Sequence, residues 1–183
     1  MDRASETLLS SLLALQPLES LARTGWAMNG IAAPETVAGH VLGTCHAILA
    51  LAPRVAPGID VEHCLALALV HDAPEALIGD LPRGASDLLP RGAKAAAEEA
   101  AARRLLGALS GFALERFGEY RAQNSREARF ARLCDRLQMG VRLVGYRRMG
   151  VRGLEEFAGT IEGLDCSEFA PAAALRAEIL AAL

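Results

Sequence analysis

Apolar residues recur along this chain three and four positions apart, the spacing of helix faces, and no segment shows the period-two alternation of a half-buried strand. Leu8, Leu9, Leu12, Leu13 and Leu15 form a first amphipathic run that Pro17 ends or interrupts, and the Gly-containing segment Arg23 to Ala33 reads as a long loop. Pro34 and Glu35 open a second helix, in which Val37, Val41, Thr44, Cys45, Ile48 and Leu49 keep an inward stripe until Pro53. Asp60 is placed to cap a third helix running through Val61, Leu65, Ala68 and Leu69 to about Ile78, with Gly79 as its stop. Leu81 to Lys94 is a Pro/Gly-rich connection, followed by the strong helix former KAAAEEAAARRLLGAL. Asn124 with Glu127 gives a capping-box start to a long helix through Phe130, Leu133, Leu137, Val141 and Val144. Two shorter helices close the chain, one near Leu154 and one from about Pro171. The fold class expected is all-α.

Composition sharpens this picture. With 52% hydrophobic residues but only 4% aromatic, the core must be filled by Ala, Leu and Val, the side chains of close-packed helices, and 183 residues suffice for one well-cored domain spanning 1–183. A net charge of −3 and a pI near 5.8 give no general attraction to phosphate backbones, so nucleic-acid polymers are not expected as partners and any phosphate site must be local. No apolar run reaches the length of a membrane span, and the opening, with Asp2 and Glu6, lacks the basic start of a signal peptide. Cys45, Cys64, Cys134 and Cys166 are scattered without a CxxC pair and sit among apolar residues, as reduced thiols of a cytoplasmic protein do.

Chemistry enters with ALVHDAPEALIGDLP, Ala68 to Pro82. On the third helix His71 continues the stripe of Cys64, Leu67 and Ala68, and Asp72 that of Leu65, Ala68 and Leu69, so both face inward. His40 also faces inward, one turn from Val37. A lone histidine on an apolar face is more often a hydrogen-bonded core residue, but a His-Asp pair with no basic neighbour in sequence needs a partner. A divalent cation joins a neutral imidazole to a carboxylate.

With these residues in place, the sequence resembles the HD-domain phosphohydrolases, helical bundles around a metal held by a pattern H…HD…D, here His40, His71-Asp72 and Asp135. It is most similar to the 5′-deoxynucleotidase-like branch, through RTGW at Arg23 to Trp26, PETVAGH at Pro34 to His40, HDAPEALIGDLP at His71 to Pro82 and NSREARFARLCDRLQM at Asn124 to Met139. The motif-bearing core spans about residues 23–146. The resemblance implies a single-domain HD-type bundle with a buried metal, His40, His71, Asp72 and Asp135 as ligands, and Glu75 and Asp80 as catalytic carboxylates. It implies that Arg23 contacts phosphate and that Trp26 walls the sugar pocket; the plain alternatives are a surface arginine and a core-anchoring tryptophan. Two imidazoles with two carboxylates suit one Mn, Co, Fe, Ni or Zn ion, with Mg possible. The branch usually carries an acidic residue before the first His and Arg-Asn soon after the Trp, where this chain has Gly39 and Asn29-Gly30.

The activity implied is metal-dependent hydrolysis of a phosphomonoester, a nucleoside 5′-monophosphate above all, by a homodimer. A phosphohydrolase of a non-nucleotide ester and a regulatory nucleotide-binding HD protein are the alternatives. Two-metal HD sites need histidines between the HD pair and the last Asp, and Ala73 to Cys134 contains none. His46, His63 and the basic run Arg142, Arg147, Arg148 and Arg152 read as structural or solvated.

Overall fold

The computed structural model describes residues 7–183; Asp2 and Glu6 lie outside them. The chain is all-α, as expected. Its helices are α1 (Leu8–Leu13), α2 (Pro17–Ser20), α3 (Thr24–Met28), α4 (Val37–Leu51), α5 (Val61–Val70), α6 (Glu75–Ile78), α7 (Arg83–Leu88), α8 (Ala93–Leu109), α9 (Gly111–Ala122), α10 (Arg126–Arg148), α11 (Glu155–Glu162) and α12 (Ala170–Ala181), with one 3-10 turn at Ala52–Arg54. Among the described residues the only extended pairing is an isolated antiparallel bridge between Ala22 and Thr36, flanked by Arg23 N–H donating to Glu35 O at 2.9 Å and Val37 N–H to Leu21 O at 2.8 Å.

The chain forms two compact units, one made of the segment up to Gly39 with Leu69–Gly118, the other of His40–Ala68 with Glu119–Leu183. The first has a small core in which Ala102 and Leu106 of α8 meet Ala73, Ala113 and Phe117, with Leu15, Val70, Leu109 and Leu114 around them. Helix α1 packs on α8 through Ser11, while Leu8, Leu9, Leu12 and Leu13 stay exposed. The expected inward face of that helix is thus turned out, because the small Ser11 is the side chain that fits against α8.

The second unit is organised by α10, whose residues Ala128, Phe130, Ala131, Cys134, Leu137 and Leu143 are fully buried among Ile48, Cys64, Leu67, Ile161, Phe169 and Ile179. Helices α11 and α12 pack on it at Gly140. A Cβ there would lie 3.1 Å from Ile161 and Ile179, so glycine admits the two isoleucines. Phe130 meets Phe169 edge-to-face, centroids 5.0 Å apart. All four cysteines are free and buried, and burial raises their thiol pKa values, that of Cys64 to about 12.

Local chemistry explains where the elements depart from their expected bounds. The loop expected at Arg23 to Ala33 contains α3, and the connection Leu81 to Lys94 contains α7, each a short helix that periodicity cannot register. Asp60 caps α5 as expected, its Oδ1 accepting from His63 N–H at 2.9 Å. The third helix stops at Val70 instead of running to Ile78: Pro74 has no N–H for the ladder, and Ala73 and Glu75 donate three residues back, to Val70 O and Asp72 O. At the start of α10 the cap is Ser125, not Asn124. Ser125 Oγ accepts from Ala128 N–H at 3.1 Å and donates to Glu119 Oε1 at 2.6 Å, and the same oxygen lies 2.8 Å from His63 Nε2.

Ser125→Ala should therefore lower stability by about 0.5 to 2 kcal/mol, and Asn124→Ala should leave it nearly unchanged. Urea midpoints at constant m-value separate the two. Equal losses would restore Asn124 as the cap.

Candidate functional site

In the first unit the turn forced by Pro74 carries the site. His71 and Asp72 sit just beyond the end of α5, not within a longer helix, and Glu75 is the first residue of α6. His71 is buried, with Nε2 3.2 Å from Asp72 Oδ2. After α6, Gly79 takes a φ of 78°, a conformation costly for any residue with a Cβ, and so turns Asp80 back toward Arg23 and Thr24. Thr24 binds Asp80 twice, its N–H donating to Oδ2 at 2.6 Å and its Oγ1 to the main-chain O at 2.7 Å. The Arg23 guanidinium spans two acids, with Nη1 3.1 Å from Asp72 Oδ2 and Nε 3.6 Å from Asp80 Oδ2.

Glu75 lies among these groups. Burial, then the neighbouring carboxylates of Asp72 and Asp80, push its pKa up to about 9 against the opposing pull of Arg23 and His71. Its Oε2 is buried without a hydrogen-bond partner. Trp26 is 3% exposed and donates from its indole N–H to Glu35 Oε1 at 2.9 Å, a buried pair that anchors the segment beginning at Arg23.

The second unit presents a different set. His40, on α4, is 1% exposed; its Nε2 lies 2.9 Å from Asp135 Oδ1 and its Nδ1 2.5 Å from Gln138 Oε1. Tyr120 on α9 donates to Asp135 Oδ2 at 3.0 Å. Asp135 and Gln138 are three residues apart on α10 and so share a face.

Both sets have the character of cation ligands. Asp72, Glu75 and Asp80 gather three acids around one guanidinium, and one buried carboxyl oxygen is unsatisfied. Where His40 Nε2 faces Asp135 Oδ1, two lone pairs at 2.9 Å require a proton or a metal cation between them. The donors present fit a divalent metal.

The HD domain profile matches residues 15–158. The chain belongs to the HD domain family. Among curated proteins this HD protein is 32% identical over 141 residues to the 5′-deoxynucleotidase HDDC2 of Bos taurus, a match covering 75% of the chain and 66% of that relative, just under two thirds of its length. Among solved structures it is similar to the PH0347 protein of Pyrococcus horikoshii OT3, with a TM-score of 0.84 and 29% identity over 96% of this chain and 99% of that one. A conserved hypothetical protein of Pyrococcus furiosus gives a TM-score of 0.78 and 28% identity over 93% and 98% of the two chains.

Four residues of these two sets escape sequence reading. Thr24 lies inside RTGW, whose Arg and Trp draw attention first. Glu35 reads as a helix start, yet it is buried against Trp26. Gln138 carried a usable signal, since it lies one turn after Asp135. Tyr120 carried none. His63 binds Glu119, His46 is exposed, and Arg147 pairs with Glu155 at 3.4 Å, in keeping with their structural readings. No described helix is long and apolar enough to cross a membrane.

The raised pKa of Glu75 has a definite sign in the metal-free protein. Folding holds the carboxyl protonated between its ordinary value of 4.5 and about 9, while the unfolded chain releases that proton. Glu75 therefore contributes most to stability below 4.5 and loses that contribution as pH rises toward about 9. With a chelator present, Glu75→Gln should flatten the fall in urea midpoint over that window; an unchanged slope would place the titration elsewhere.

Proposed function

We propose that this HD protein is a metal-dependent phosphomonoesterase acting on nucleoside 5′-monophosphates, deoxynucleotides among them. The observation that carries the reading is the crowding of Asp72, Glu75 and Asp80 on Arg23, which supplies acidic groups beyond those a metal needs. Glu75, a buried carboxyl with one oxygen unsatisfied, is a group that a protein only holding an ion would not need. The name of the bovine relative, a 5′-deoxynucleotidase, supports the substrate class.

In this reading His40, His71, Asp72 and Asp135 would hold one divalent ion, and the chain is a single HD domain spanning 1–183. When bound, the ion polarises a phosphoryl oxygen and lowers the pKa of water. Arg23 releases part of its hold on Asp72 and Asp80 and takes the phosphate in its planar fork. Trp26 forms part of the sugar pocket by fixing the Arg23 segment through Glu35. Glu75 orients the attacking water and accepts or returns its proton, and Asp80, kept in place by Thr24, serves the leaving oxygen or a sugar hydroxyl. The ligand set suits Mn, Co, Fe, Ni or Zn, with Mg possible. A cytoplasmic homodimer completes the reading; α4 carries no charged residue and exposes Leu42 and Leu49, which supports burial of that face by a second copy.

Bound metal and phosphate release measured on the same samples test the proposal. Asp72→Ala should lose the ion, whereas Glu75→Ala and Asp80→Ala should keep it and turn over on the order of a hundredfold more slowly or worse. Both acid variants working at the parent rate would overturn the mechanism.

Arg23→Ala should raise KM for a nucleoside monophosphate about ten- to a hundredfold, the loss of roughly 1.5 to 3 kcal/mol of charge-assisted contact. Metal should be retained, because removing a cation beside Asp72 cannot weaken the attraction for another. An unchanged KM would assign Arg23 to structure alone.

A further inference from the structure

His40 has two ring nitrogens, and a metal needs a bare lone pair on the one it meets. Which nitrogen is bare depends on the partner of the other. Here Nδ1 lies 2.5 Å from Gln138 Oε1, an amide oxygen that can only accept, so Nδ1 carries a proton, and Nε2, 2.9 Å from Asp135 Oδ1, is the nitrogen left to exchange its proton for the ion. Both side chains are nearly inaccessible, His40 at 1% and Gln138 at 7%, so water cannot substitute for the amide.

Gln138 in turn has a defined place because of a glycine. A Cβ at residue 43 would lie 2.7 Å from Gln138 Nε2 and 2.8 Å from its Cγ, closer than real Cβ atoms approach, and it would meet the stem of the side chain as well as its tip. Gly43 lies three residues after His40 on α4, so the helix that carries the imidazole also opens the slot for the amide. Resting on the metal reading above, we propose that Gln138, seated against Gly43, is a positioning residue: it fixes the tautomer and ring orientation in which His40 offers Nε2 to the ion. In this reading the effect of Gln138 passes through His40.

The tests are made on the full chain with Co(II) as the probe, titrated against a competing chelator. Gln138→Leu, close in size but without the acceptor, should weaken Co(II) binding about ten- to a hundredfold, and Gln138→Glu, which keeps an acceptor, should restore most of it. Gly43→Ala should weaken binding in the same direction, and adding it to Gln138→Leu should cost little more, since both act on one contact. A purely structural role would lower the melting temperature in step with affinity and would not be rescued by Glu. The tautomer is read independently in the metal-free parent by long-range proton–nitrogen correlation of His40, with the proton expected on Nδ1. A bare Nδ1, or Gln138→Leu binding Co(II) as tightly as the parent, overturns the inference and leaves the metal site standing. A parent that binds no Co(II) overturns the metal reading, and this inference with it.

Discussion

Three carboxyl groups around one guanidinium is an arrangement that a folded chain rarely tolerates without a further cation, and the organisation of the first unit follows from it. Asp72 and Asp80 each take a share of Arg23, and what remains for Glu75 is burial with its Oε2 unsatisfied. Such crowding persists only if the backbone enforces it. The turn at Pro74, the positive φ of Gly79 and the doubled bond from Thr24 to Asp80 are the constraints that do so. The second unit meets the same problem differently. It places one acid and one imidazole face to face and satisfies their outer atoms with neutral groups, Tyr120 for Asp135 and Gln138 for His40. Charge is concentrated in one unit and orientation in the other.

The all-α architecture was legible because long helices with apolar stripes leave a strong periodic signal, and α4, α8 and α10 fall close to where that signal puts them. What escaped was decided over four to six residues. Helices α3, α6 and α7 are too short to show a period, and the choice between Asn124 and Ser125 as a cap turns on which side chain reaches Ala128 N–H. The outward leucines of α1 show the limit of the stripe as evidence, for a small residue that fits α8 outweighed four larger ones that do not.

Among the candidate residues, a His-Asp pair in an apolar run could be read directly from its chemistry, whereas Arg23 and Trp26 came only from the resemblance of RTGW to the family motif. Their partners could not be read directly. Glu35, Thr24, Tyr120 and Gln138 are common residue types in unremarkable places, and each matters through one contact with a residue distant in sequence or across a turn. That Arg23 spans Asp72 and Asp80, 49 and 57 positions further on, is a fact of the fold and of nothing shorter.

The four thiols bear on how this protein can be studied. Cys45, Cys64, Cys134 and Cys166 are all buried, and burial raises the pKa of each, away from the thiolate form on which alkylation depends. The native surface is in effect silent toward maleimides and similar reagents. A single cysteine placed on an exposed position, Leu88 for instance at 88% exposure, would become the one reactive handle, so that a fluorophore or spin label can be attached with the natural thiols left in place.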